Sequence, residues 1–209
     1  MTWDLVTLDL DGTLLPDDTV FAAVLRENGH ATEVAASDAR YFAGEMTLEA
    51  CFWEQWEMVR RLSLADMHRA LRRAAWLPGI ATGVRALQTS GARVCLLTDQ
   101  PSVLTDFFGR WGLTDAICSP VTVRDGRPVE IDARFDKWDN LRRRLAKWDL
   151  DPARVCHVGN GSNDVPVWAR VGGSVAAFAP PEVARHARVD TGRPASLADV
   201  AAAVLRGAG

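Results

Sequence analysis

The chain has 209 residues, more than the commonest single-domain size of about 100 to 150 and fewer than two such domains, so one domain with a smaller addition is expected. Hydrophobic residues make up 48% and charged residues 24%, ordinary globular usage that excludes disordered, collagen-like and disulfide-scaffold classes. Against 27 Asp plus Glu stand 24 Lys plus Arg, a formal charge of -3, too balanced to expect a nucleic acid or a membrane surface as partner. Cys51, Cys95, Cys118 and Cys156 show no metal-ligand spacing, so reduced thiols are expected rather than a zinc site or a disulfide framework. No apolar run reaches about 18 residues and the N-terminus lacks the segments of a signal peptide, so the expectation is a soluble, cytoplasmic protein.

In chain order, the apolar run Leu5-Val6-Thr7-Leu8 stops at the acidic, turn-compatible stretch Asp9 to Thr13, as a buried strand ending in a loop does. From Pro16 to Pro78 no strand-like run occurs, whereas Leu48, Phe52, Trp56 and Val59, then Leu64, Met67 and Leu71, fall at helical spacing. Residues 17–77 are therefore expected to form an all-helical insertion of 61 residues, leaving residues 1–16 and 78–209, 148 in all, for a sheet domain. Short apolar runs return at Arg93 to Thr98, Ala116 to Ser119, Val155 to Val158 and Ser174 to Phe178, most of them separated by amphipathic stretches. That alternation predicts a three-layer α/β domain, a central parallel sheet with helices on both faces. Trp138, Leu141, Leu145 and Trp148 share one helical stripe. Asp125-Gly126, between two β-prone segments, predicts a small hairpin at 121–131.

In such a sheet the loops at the carboxyl ends of the strands converge on one crevice. Four segments belong there: Asp9 to Thr13, Thr98-Asp99-Gln100, Asp136-Lys137, and Gly159 to Asp164. Asp9 and Asp11, two residues apart, can approach the same crevice, one carboxylate to attack and the other to shuttle protons. Asp164 adds a third acidic group, and oxygen-only ligands favour a hard cation such as Mg²⁺. Phosphoryl transfer is the matching reaction, with Lys137, the Thr98 hydroxyl and the amides around Gly12 complementing charge on the transferred group. His157, inside an apolar strand, reads as a satisfied core histidine.

These four segments, in this order and approximate spacing, resemble the four motifs of the haloacid dehalogenase superfamily, in its phosphoserine-phosphatase-like branch. The resemblance implies a Rossmann-like core, a small helical cap at the insertion, and a magnesium-dependent phosphatase acting on a small phosphorylated metabolite. It implies that Asp9 forms an aspartyl-phosphate and that Asp11 is the general acid and base. Gly12, Thr13, Thr98, Asp99 and Lys137 would bind the phosphoryl group, and Asp9, Asp11 through its main-chain carbonyl, Asn160 and Asp164 would form or support the metal site. Gly44 to Glu49, Leu77-Pro78-Gly79 and the Ser174 to Asp190 tail also look like that branch.

Two departures stand out. The fourth motif usually carries a metal-ligating Asp where this chain has Asn160, and the second-motif hydroxyl is followed by Asp99-Gln100 rather than by two glycines. A cap arginine that grips the serine carboxylate is matched by Gln55, so phosphoserine is not the expected substrate. Asp18, Gln55 and Trp53 are the cap residues expected to choose the leaving group. Trp53 lies about 100° around the helix from Phe52, off the apolar stripe, and is the candidate substrate-facing aromatic. A phosphomutase using the same intermediate, and a weakly active phosphate-binding homologue marked by Asn160, are the alternative readings.

Overall fold

A computed structural model describes residues 2–207. β1 (Leu5–Leu8) is followed by four helices, α1 (Val20–Glu27), α2 (Ala31–Phe42), α3 (Leu48–Val59) and α4 (Leu64–Leu71). The chain then alternates: α5 (Ile80–Thr89), β2 (Arg93–Pro101), α6 (Ser102–Thr105), a 3-10 turn (Asp106–Trp111) and β3 (Asp115–Ser119). The hairpin β4 (Val121–Arg124) and β5 (Arg127–Ile131) precedes α7 (Lys137–Trp148), a 3-10 turn (Pro152–Arg154), β6 (Val155–Gly159) and α8 (Val165–Trp168). β7 (Gly173–Ala176), α9 (Pro181–Ala184), β8 (Val189–Asp190) and α10 (Leu197–Arg206) complete the described fold.

The main sheet runs β3-β2-β1-β6-β7-β8, with every neighbouring pair parallel. β1 is central because Leu5, Val6 and Leu8 are all fully buried, and alternation along the strand divides them between two cores. Val6 and Leu8 join the cluster that holds Val84 and Leu87 of α5 and Val200 and Val204 of α10, whereas Leu5 packs with Leu141 and Leu145 of α7. Helices therefore cover both faces, the three-layer architecture expected from the sequence. The chain leaves β1 toward β2 and β3, then returns through β6 on the other side. That reversal opens a crevice past the carboxyl ends of β1 and β6.

Of the four helices after β1, α1, α2 and α3 contribute residues to the cavity that opens at this crevice, and α4 packs against α1 and α6. Side-chain oxygens of Thr19, Thr47 and Ser63 accept from the amides of Ala22, Ala50 and Asp66 and cap α1, α3 and α4. Phe52, Trp56 and Val59 of α3, with Met67 and Leu71 of α4, are buried and join Phe21 and Leu25 of α1 in the same core as the sheet. α2 has only Val34 and Ser37 buried, too thin a face to show as a stripe in the sequence. The hairpin turns at Asp125 and Gly126, both at positive φ, and its tip is bonded to the helical layer through Leu64 N to Gly126 O at 3.1 Å.

Two strands differ from expectation. β2 does not end at Thr98; its pairing with β3 shifts register after Leu97 and resumes at Pro101 opposite Ser119. β7 stops at Ala176, and Phe178, at φ +61°, turns out of the sheet.

Candidate active site

Asp9 follows directly on β1 and is buried, its main chain tied to β6 through Asp9 N to Val158 O at 2.9 Å. Asp136 caps α7 by accepting from Asp139 N at 2.9 Å, which makes Lys137 the first residue of the helix and aims it at the crevice. Lys137 Nζ lies 2.7 Å from Asp9 Oδ1 and 2.7 Å from Asp164 Oδ1. The second oxygen of Asp9 has no protein donor among the described residues, and Asp9 lines a cavity of about 200 Å³ with Asp11, Thr98, Asp99, Lys137 and Asn160.

Asp164 is held differently. Oδ1 accepts from Lys137 and from His157 Nε2 at 2.9 Å, and Oδ2 accepts from the amides of Asn160 and Gly161, both at 2.9 Å. Four protein donors thus occupy the carboxylate that the resemblance places at a metal, so it stands behind Lys137 and the loop rather than open to the cavity. Gly159 makes room for it, since a Cβ there would fall 2.3 Å from Asp164 Oδ2. Because Asp164 is ionised and only accepts, His157 donates through Nε2, and Nδ1 is left to meet the Thr7 hydroxyl at 2.8 Å. Both ring nitrogens are satisfied in a fully buried side chain, as a core histidine requires.

Asp11 bridges to the helical layer. Its Oδ1 accepts from Val20 N, at the start of α1, at 2.7 Å, and its Oδ2 accepts from Gln100 Nε2 at 2.5 Å. Burial pushes the Asp11 carboxyl up to about 6, against the pull of those two donors. Burial likewise raises Asp99 to about 6, opposed by Lys137, and together with the Asp164 charge it holds Asp9 well above the usual carboxylate range. Burial also penalises the charges of Asp164 and Lys137, but their mutual attraction wins: the carboxyl stays below its usual range and the ammonium above.

The backbone donors are not those expected. Gly12 N donates to Leu15 O and Asp18 O, both 3.0 Å, and Thr13 N to Leu10 O at 3.2 Å, so these amides close the loop. The amides of Leu10 and Asp11 have no acceptor among the described residues and are the ones left for an anion. Gly12, at φ +72°, serves as a close-approach position: a Cβ would sit 2.0 Å from Asn160 Nδ2. Asn160 Oδ1 in turn accepts from the Thr13 hydroxyl at 3.4 Å. Thr98 is buried, and its hydroxyl accepts from Gln100 N at 3.2 Å; it does not cap a helix. Asp99 Oδ2 accepts from Asn163 Nδ2 at 3.3 Å, and its Oδ1 is buried without a donor.

A larger cavity of about 440 Å³ adjoins the first, sharing Asp11, Thr19, Tyr41, Leu48, Phe52, Gln100 and Asn160, and extends under the helices. Of the cap residues singled out, Asp18 and Gln55 line it and Trp53 does not. Asp18 pairs with Arg26. Gln55 is buried and donates to Asp38 Oδ1 at 2.8 Å. Trp53 is 38% exposed, edge-on to Phe52, because it is the apolar stripe of α3 that faces the cavity and the off-stripe position turns to solvent. Asp38 and Tyr41 also line the cavity although no sequence pattern points to them, and Gln100, expected at the crevice without a role, proves to hold Asp11. Gln100 had a signal, since in a strand it shares a face with Thr98, two residues earlier.

The floor also fits magnesium. Asp9, Asp11, Asp99 and Asp164 gather around the single cation Lys137, four carboxyls to one ammonium, which leaves a place for a further positive charge. The available oxygens are hard ones: the second Asp9 oxygen, the Asp11 carbonyl and the Asn160 amide oxygen, whose one donor is the Thr13 hydroxyl at 3.4 Å. No cage of three His, Cys, Asp or Glu side chains forms among the described residues, so a cation there would share its shell with carbonyl, amide, water and phosphate oxygens.

The chain is 26% identical over 197 residues to a phosphoserine phosphatase of Polaromonas sp., covering 88% of this chain and 83% of that one. It is 25% identical over 179 residues to a phosphoserine phosphatase of Archaeoglobus fulgidus, covering 82% of this chain but spanning only 52% of that protein's length. A solved structure described as a phospho-aspartyl intermediate analogue of phosphoserine phosphatase shares the fold, with a TM-score of 0.77 at 18% identity over 96% of this chain and 98% of that one. A family model for haloacid dehalogenase-like hydrolases matches residues 6–168, the span that contains Asp9, Lys137 and Asp164, and the chain belongs to that family.

Proposed function

We propose that the protein is a phosphatase that hydrolyses a small phosphorylated metabolite through an aspartyl-phosphate on Asp9. The observation that carries this reading is the pair at the cavity floor: Asp9, held by Lys137 at 2.7 Å with its second oxygen free, beside Asp11, held by Val20 N and Gln100. With its charge met by Lys137, Asp9 reacts as the carboxylate: its free oxygen attacks phosphorus and the bond to the leaving oxygen breaks, while Asp11 delivers its own proton to that oxygen. Water then attacks the phosphorus, Asp11 takes the water's proton, and the Asp9 carboxylate is released with inorganic phosphate. A carboxyl pushed up to about 6 holds a proton for the first step and can accept one in the second near neutral pH. The Lys137 ammonium, the Thr98 hydroxyl and the free amides of Leu10 and Asp11 supply donors to the phosphoryl oxygens.

Asp9, the Asp11 carbonyl and Asn160 would hold magnesium, with Asp164 setting the loop behind them; the ion supplies positive charge to the phosphoryl oxygens when bound. The helical layer, residues 17–77, acts as the cap that screens the reacting groups from water. No helix among the described residues is long and apolar enough to cross a membrane, and the four cysteines are free thiols, which suits a reducing cytoplasm.

A panel of phosphate monoesters assayed with magnesium, with Asp9→Asn as the blank, tests this. Turnover by the parent alone is expected; equal turnover by the blank contradicts it.

A further inference from the structure

The larger cavity lies beyond Asp11, where the alcohol of a phosphate ester would sit, and its charges are lopsided. Asp17, Asp18 and Asp38 line it against one cation, Arg26. Arg26 closes on Asp18 and Arg193 takes Asp17, which leaves Asp38 with no cationic partner among the described residues. Asp38 is half-buried and accepts only from the Gln55 amide, an uncharged donor that orients a carboxylate without neutralising it.

The remaining walls are mostly apolar and aromatic. The rings of Phe21 and Phe52 lie 5.1 Å apart, and Tyr41 and Phe42 stand beside them. Ring faces attract a cation through their quadrupole, and more strongly where water is scarce. At about 440 Å³ the cavity has room for roughly fifteen waters at ~30 Å³ each, more than a bare three-carbon alcohol needs. An alcohol bearing a carboxylate would meet repulsion from Asp38 and an amide at Gln55. An alcohol bearing an ammonium would meet a carboxylate and π faces.

We propose that the alcohol released from the ester carries a positively charged nitrogen and no carboxylate, with Asp38 as its counter-charge and Phe21, Phe52 and Tyr41 as its walls. The inference rests on the phosphatase reading and narrows it to a substrate class.

The test compares kcat/KM for phosphoethanolamine, phosphocholine, glycerol 3-phosphate and phosphoserine, with 4-nitrophenyl phosphate as a general phosphatase substrate. At least one ammonium ester should exceed glycerol 3-phosphate by about tenfold, and phosphoserine should fall below it. Asp38→Asn keeps an acceptor for Gln55 and should shrink that ratio to about threefold or less. Gln55→Arg should raise phosphoserine relative to the ammonium esters. Hydrolysis of 4-nitrophenyl phosphate without any ammonium preference, or a preference unmoved in a folded Asp38→Asn protein, overturns the inference and leaves the phosphatase reading standing. No turnover of any ester overturns both.

Discussion

The floor of the cleft and the chamber above it are built on opposite terms. On the floor, Asp164 is fully buried with four donors on its two oxygens, and Lys137 is shared between two carboxylates at 2.7 Å. In the chamber, Asp38 has one neutral donor and Phe42 at the rim is 83% exposed. A buried charge must be paired closely or not exist, so the floor has one arrangement and one kind of reaction. The chamber carries no such constraint, and its side chains are free to suit a particular alcohol.

Lys137→Met is the strongest way to break this comparison. It strands Asp9 and Asp164 without their cation and should cost roughly 3–5 kcal/mol in denaturant unfolding, whereas Asp38→Asn in the chamber should cost less than about 1 kcal/mol. Equal losses would erase the distinction. Gln100→Leu removes a donor from Asp11 but keeps both carboxylates; kcat should drop about tenfold with KM kept, and the limb of the pH profile that Asp11 sets should move to higher pH. A change confined to KM would place Gln100 in the chamber's function instead. Asn160→Asp restores a charge to the floor, and calorimetry should show magnesium binding about tenfold tighter. Unchanged affinity would mean that residue 160 is not a ligand.

A separate effect is thermal. Asp11 and Asp99 are both raised to about 6 in the fold by burial, so they bind protons there that the unfolded chain has already released. The stability they contribute is complete below about pH 4 and is lost as pH rises through about 6. Metal-free protein should therefore melt roughly ten degrees lower at pH 7 than at pH 4.5, Asp99→Asn should flatten the slope, and magnesium should restore the loss at pH 7. A melting temperature that rises over this interval contradicts the charge deficit at the floor.

The same contrast explains what could be read from the sequence. β1 and β6 lie within one residue of their apolar runs, because a strand buried on both faces leaves little freedom in residue type. Asp9 and Asp11 were legible for a local reason, a spacing of two at the end of such a strand. The full length of β2 was not, since Thr98-Asp99-Gln100-Pro101 looks like a loop and is drawn into the sheet only by the partner at Ser119. Nor was the chamber: α2 buries just two residues, and Asp38 and Tyr41 reach the cavity through packing that no stripe announces. Trp53 shows the converse, a correct helical angle from Phe52 that leads to solvent once the buried stripe and the cavity prove to share a side.

The central claim is that Asp9 is the group that takes the phosphoryl. Mixing the protein with magnesium and a rapidly cleaved aryl phosphate, quenching in acid, and digesting for peptide mass spectrometry tests it directly. The account predicts one phosphoryl group on the peptide containing Asp9, absent from Asp9→Asn. Turnover with no covalent phosphate on Asp9, or with the same label retained in Asp9→Asn, would contradict it.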